Sequence, residues 1–175
     1  MEEENNLILN MHIPLALHLS IHFLIAVLVG WFVGRHFNKI KLGLIGGVIG
    51  GFLIDLDHVL EYFFTFGFHF NLTYFIEGRQ FLISNKFFLI FHAWEYIPVL
   101  LLAAWLLRRR KNVMVFLLAV TFGGMIHLAS DCIINDYPPR NYSLIYRASQ
   151  GFENANLLSP EQQELNAKYR QDLGL

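Results

Sequence analysis

The run from Leu42 to Phe64 constrains this chain more than any other stretch. It is predominantly apolar and long enough to cross a bilayer, yet it carries Asp55, Asp57 and His58. In hydrocarbon every backbone polar group must be satisfied within the segment, so such a run can only be helical. Ionisable side chains at that depth are expensive and mark a functional site by default. The composition agrees with a membrane setting: of 175 residues, 55% are hydrophobic and only 15% charged. The single cysteine, Cys132, excludes an internal disulfide and thiolate-rich metal clusters. The net charge of -1 hides a segregation that bears on topology and not on nucleic acid, since Arg108, Arg109, Arg110 and Lys111 lie together.

Hydropathy predicts an all-α, polytopic protein: a four-transmembrane-helix antiparallel bundle with a short soluble C-terminal helix. Residues 1 to 14 are a polar tail ending at Pro14, and residues 15 to 134 form the membrane domain. Its spans are expected at about 15–33, 42–64, 87–107 and 113–134, each near the roughly 20 residues that hydrocarbon requires. The glycines Gly43, Gly46, Gly47, Gly50 and Gly51 give the second span a face on which a neighbouring helix can approach closely. Residues 65 to 86 are too polar to span and too aromatic for a plain loop, so an interfacial segment is expected there. Residues 135 to 175 read as a soluble tail. In it Ser159-Pro160-Glu161-Gln162 carries an N-cap, a first-turn proline and a capping-box glutamine, predicting a helix over about 160–172. Arg35, Lys39 and Lys41 occupy one turn and four consecutive basic residues another, which places both turns in the cytoplasm and both termini outside.

Each predicted span carries two ionisable residues three or four apart, hence on one helix face: His18 with His22, Asp55 with His58, His92 with Glu95, His127 with Asp131. His22 and His18 stand 13 and 17 residues from Arg35; Asp55 and His58 stand 14 and 17 from Lys41. Glu95 and His92 stand 13 and 16 from Arg108, and His127 and Asp131 stand 16 and 20 from Lys111. At a helical rise of about 1.5 Å per residue, all eight fall roughly 20 to 30 Å up from the basic turns. Helices of alternating direction would scatter unrelated polar residues, so a shared layer points to one chamber near the outer face. Imidazoles and carboxylates without thiolates suit a divalent metal, zinc first, with manganese or iron compatible, and eight or nine donors are enough for two ions. Asp57, off the Asp55 face, is expected as a ligand or as a group that orients one. His12, His36 and His69 have no partner at matching depth.

The pattern resembles the DUF457-like family of small membrane-bound metal-dependent hydrolases of bacteria and archaea. The resemblance covers about Leu15 to Ile134. It rests on His18 and His22, on Asp55-Leu56-Asp57-His58 closing the second span, on His92, and on His127 with Asp131. Two departures are visible: Ile54 stands where a proline commonly precedes the first aspartate, and His92-Ala93-Trp94-Glu95 replaces an Arg-Gly-containing stretch with two histidines. The resemblance implies a hydrolase of the bacterial inner membrane, with the site facing outward and a metal-bound water as nucleophile. Metal ligands are then expected among His18, His22, Asp55, Asp57, His58, His92, His127 and Asp131, with Glu95 or Asp57 as general base. Arg79 and Arg140, on the predicted outer side, are candidate phosphate contacts for a lipid phosphoester or ester substrate. Membrane lipid is thus both environment and candidate substrate, no nucleic-acid partner is expected, and oligomeric state is left open. The competing expectations are a metal-binding protein without catalysis, a metal or proton transporter, and a b-type haem carrier. The transporter needs polar residues continuing toward the cytoplasmic side, where these spans have almost none, and the haem carrier does not need carboxylates in the histidine layer.

Overall fold

A computed structural model of the chain describes residues 15–175; the expected polar tail at 1–14, with His12, lies outside the described residues. Among the described residues the secondary structure is entirely helical. Helix α1 runs Leu15–His36, α2 Ile40–Gly51, α3 Leu56–Phe66, α4 Leu72–Ile76, α5 Arg79–Ser84, α6 Tyr96–Leu106, α7 Lys111–Ile134, α8 Leu144–Ser149, α9 Asn154–Leu157 and α10 Pro160–Asp172. Among the described residues three segments are long and apolar enough to cross a membrane: Leu15–His36, Ile40–Phe66 and Lys111–Ile134.

Helices α1, α2 and α7 pack mutually, and glycine makes their closeness possible. A Cβ on Gly47 would lie 2.6 Å from the Gly30 Cα, and one on Gly46 would lie 2.7 Å from the Phe116 carbonyl oxygen. One on Gly51 would lie 2.9 Å from the Ala26 Cβ. The small face predicted on the second span therefore meets α1 on one side and α7 on the other, as close packing between membrane helices requires.

The second span is interrupted where its charges begin. After α2 the chain turns at Phe52 into a 3-10 turn, Leu53–Asp55, before α3 resumes. The Asp55 amide donates to the Phe52 carbonyl, not to that of Gly51, and the released Gly51 carbonyl accepts from the His127 ring. A helix break at membrane depth is thus compensated by a side chain of a neighbouring helix.

The stretch expected as a third span is helical only from Tyr96 to Leu106, about 16 Å at 1.5 Å per residue. Residues 87 to 95 are irregular, with Leu89 at φ 34°. Pro98 is part of the reason. It lacks an N–H and would break a helix running through from Phe87, but it fits within the first turn of α6. Helix α6 packs on α7, and Leu101, Leu102, Trp105 and Leu106 remain exposed on it.

The C-terminal segment is folded onto the end of the bundle opposite the basic turns. Phe81, Phe87, Leu89, Leu128, Tyr137, Tyr142 and Leu157 form one buried cluster that joins α5, the irregular stretch, α7 and the C-terminal segment. Each fully buried large apolar side chain in such a cluster contributes about 1.5–3 kcal/mol. Helix α10 opens with the Ser159 hydroxyl accepting from the Gln162 amide and the Gln162 side chain accepting from the Ser159 amide.

Candidate metal centre

The residues that meet near this end come from four separate parts of the chain. His18 and His22 project from α1, Asp55 from the 3-10 turn, and His92 from the irregular stretch; His127 and Asp131 lie one turn apart on α7. His22, His92 and His127 are 0%, 1% and 0% exposed, and Asp131 is 3% exposed. Asp55 and His58 are half-buried.

Hydrogen bonds fix the ring tautomers. His127 Nδ1 lies 3.1 Å from the Gly51 carbonyl oxygen, which can only accept, so Nδ1 carries the proton. His92 Nδ1 donates to Asp57 Oδ2 at 3.0 Å, and the same oxygen accepts from the Phe91 amide at 2.9 Å. As neutral imidazoles both rings present bare Nε2 lone pairs, and these two nitrogens face each other at 3.0 Å. Two acceptors cannot bond to each other. His92 Nε2 is also 3.4 Å from Asp131 Oδ2 and 3.4 Å from Asp55 Oδ1. His127 Nε2 is 3.1 Å from Asp131 Oδ2 and 3.4 Å from Asp55 Oδ1. His92, His127 and Asp131 have the spacing of ligands around a common cation, and Asp55 Oδ1 stands 3.4 Å from both imidazoles. A tetrahedron's edge is about 1.6 times its centre-to-corner distance, so donors at about 2.0–2.1 Å from an ion stand roughly 3.3–3.4 Å apart.

A second set of donors adjoins the first. His22 Nε2 approaches Asp131 Oδ1 to 3.1 Å and His18 Nε2 approaches it to 3.7 Å. Despite that proximity, His22 Nε2 and Asp131 Oδ1 make no hydrogen bond and are buried, as are Asp55 Oδ2 and Asp57 Oδ1. Such orphaned acceptors cost about 1–3 kcal/mol each, more when charged. Charge points the same way. Asp55, Asp57, Glu61 and Asp131 bring four carboxyl groups to this region against one buried guanidinium, that of Arg147. These clusters could hold a metal ion, and a divalent cation answers both problems.

The structure keeps His58 with the donors and separates Asp57, Glu95, Arg79 and Arg140 from them. Asp57, expected as ligand or base, is engaged through Oδ2 with His92 Nδ1 and the Phe91 amide, so its observed place is behind a ligand. Glu95, expected as base, turns away: it accepts from the Ser143 hydroxyl and from the Leu144 and Ile145 amides, closing the N-terminus of α8. The expectation failed because Glu95 lies in the irregular stretch and at the start of α6, so the His92 to Glu95 spacing never becomes a helix face. His58, expected as a ligand, forms with Asp55 and His92 a further group that could hold a metal ion, its Nε2 3.9 Å from Asp55 Oδ1. Arg79 pairs with Glu77 at 2.5 Å and stacks on Tyr74, while Arg140 is exposed near the Tyr146 ring.

Two residues that sequence reasoning passed over hold the site's frame. Glu61, 3% exposed, accepts from the Phe88 and Leu89 amides at 3.0 and 3.2 Å. Its signal was present in the sequence, since Glu61 stands four residues after Asp57 and so shares its helix face. Arg147 is 0% exposed and donates to the carbonyls of Leu89 and His92 at 2.9 and 2.8 Å. Burial pushes its guanidinium below its usual range, while Asp57, Glu61 and Glu95 oppose that shift. No sequence signal marked it. Comparison with known proteins adds nothing to this geometry, because no family model, curated protein or solved structure matches the chain.

Proposed function

We propose that this chain is a membrane-embedded, metal-dependent hydrolase, related to the DUF457-like family it resembles. The observation that carries the reading is the pair of tautomer-locked histidines, His92 and His127, whose bare Nε2 atoms converge with Asp55 and Asp131. In this reading α6 and the irregular stretch before it complete a fourth crossing, and the basic turns are cytoplasmic. The site then faces the outer side of a bacterial plasma membrane.

Asp55, His92, His127 and Asp131 would hold one ion, zinc by donor type and spacing. His18 and His22, with the other oxygen of Asp131, would hold a second. When bound, the metal supplies a water of lowered pKa and polarises the scissile group. The chain's own residues do the rest. Asp57 and the Gly51 carbonyl hold the two imidazoles in the tautomer that presents Nε2. His58, beside Asp55 and outside the two donor sets used here, takes the water's proton in the role first assigned to Glu95 or Asp57. Exposed Leu53, Leu56 and Leu60 flank Asp55 and His58 along the chain, which favours a substrate arriving from lipid, a phosphoester or ester.

The test is hydrolysis of a panel of lipid phosphoesters and esters by zinc-loaded protein in nanodiscs, beside His58→Gln and His127→Ala. Turnover lost on His127→Ala together with bound metal, and reduced on His58→Gln with metal retained, supports the reading. Wild-type protein that holds metal and cleaves none of the panel supports the non-catalytic alternative.

A further inference from the structure

The segment after the last span is bound closely to the stretch that carries His92. The Trp94 amide donates to the Tyr142 carbonyl and the Trp94 indole N–H to the Pro139 carbonyl. The Phe87 amide donates to the Phe152 carbonyl, and the Asn154 amide to the Asn85 carbonyl. Glu95 closes the start of α8. At the centre lies Arg147, the largest fully buried side chain, with one guanidinium nitrogen bonded to both the Leu89 and His92 carbonyls.

Residues 88 to 92 lack the hydrogen bonds of a helix and obtain them from side chains on two sides. Glu61 and Asp57, one turn apart on α3, take the amides of Phe88, Leu89 and Phe91. Arg147 takes the carbonyls. A backbone without regular structure at this depth persists only when such partners are supplied. Its conformation decides where the His92 ring sits.

We propose that Arg147 is a positioning residue of the metal centre: through the Leu89 and His92 carbonyls it fixes His92 as a ligand and makes the C-terminal segment part of the site. This rests on the metal reading given above. Loss of the guanidinium leaves the His92 carbonyl without a donor and the Leu89 carbonyl with the His92 amide alone, and frees the stretch to move, so His92 Nε2 leaves the donor set while His127, Asp55 and Asp131 stay.

The experiment is a Co(II) titration of the full-length, detergent-purified protein, following the ligand-field bands, for wild type, Arg147→Ala and Leu157→Ala. The Leu157 change opens a cavity in the same apolar cluster but removes none of the hydrogen bonds that Arg147, Asp57 and Glu61 make to the His92 stretch. Arg147→Ala is expected to weaken Co(II) about 10- to 100-fold, the usual effect of losing a group that orients a ligand. Its bands should change shape, and added guanidinium should partly restore them. Leu157→Ala should melt earlier with unchanged bands. A folded Arg147→Ala with wild-type affinity and bands overturns the proposal. Should that variant not fold, Arg147→Gln, too short to reach both carbonyls, is measured in its place against the same criterion. A wild-type protein that binds no Co(II) overturns the metal reading itself, whereas equal binding by all variants overturns only the role of Arg147.

Discussion

Replacing Gly47 by alanine is expected to loosen the α1 side of the metal centre although Gly47 touches no ligand. The new Cβ would lie 2.6 Å from the Gly30 Cα and 2.8 Å from the Gly30 nitrogen, and closer still to the Ala26 carbonyl oxygen. Ordinary contact begins at 3.4 Å, so α1 and α2 must separate by at least 0.8 Å, the difference between 3.4 and 2.6. A gap of about 0.5–1 Å forfeits a quarter to a half of each contact's dispersion energy along the interface. Overpacking of this kind costs about 1–3 kcal/mol, against at most about 1 kcal/mol recovered from alanine's better helix propensity. Ala26 is one turn from His22, so the displacement is carried to His22, whose Nε2 stands 3.1 Å from Asp131 Oδ1. A shift of that size removes an imidazole from ligand distance. The assay is thermal unfolding with and without zinc, together with calorimetric titration of metal into chelator-stripped protein. The expected result is a lower melting temperature and at least tenfold weaker binding in the His18–His22 half. Gly124→Ala is the control, since its Cβ would meet only the Gly50 carbonyl oxygen, at 3.2 Å. Equal melting and metal binding for Gly47→Ala and wild type would refute the reasoning.

Four further outcomes follow from the same geometry. Asp57→Asn should leave the fold intact but weaken metal about 10- to 100-fold by releasing His92 Nδ1, measured by competition with a zinc indicator. Glu95→Gln should cost about 1–3 kcal/mol of stability through weakened bonds to Ser143, Leu144 and Ile145 while leaving metal content unchanged; loss of metal would return Glu95 to the donor set. Chelation should lower the melting temperature, because free metal at about a hundred times its Kd stabilises by roughly 2.7 kcal/mol. Phe68, 96% exposed on the turn after α3, should seat in the bilayer interface, so Phe68→Trp fluorescence should be quenched by brominated lipid in nanodiscs.

The layer of ionisable pairs was legible because membrane helices convert residue counts into depth. Counting from Arg35, Lys41 and Lys111 put His18, His22, Asp55, His127 and Asp131 at one level, and helix packing brings them together. The glycines were legible for a similar reason, since small residues on a membrane helix have few uses besides close approach. Hydropathy could not show that Phe87 to Glu95 is irregular, because an apolar run reads alike whether its backbone bonds are made internally or by Glu61, Asp57 and Arg147. Glu95 was misjudged for that reason alone. Arg147 was illegible because its burial depends on docking of the C-terminal segment, which no local pattern encodes.

The central claim is that His18, His22, Asp55, His92, His127 and Asp131 form one metal centre. Elemental analysis of detergent-purified wild type beside Asp131→Ala tests it most directly, since Asp131 is the residue common to both donor sets. Two equivalents of zinc, manganese or iron in wild type, with both lost in a folded Asp131→Ala, is the predicted result. A folded wild-type protein that remains metal-free after incubation with each of these ions would contradict it.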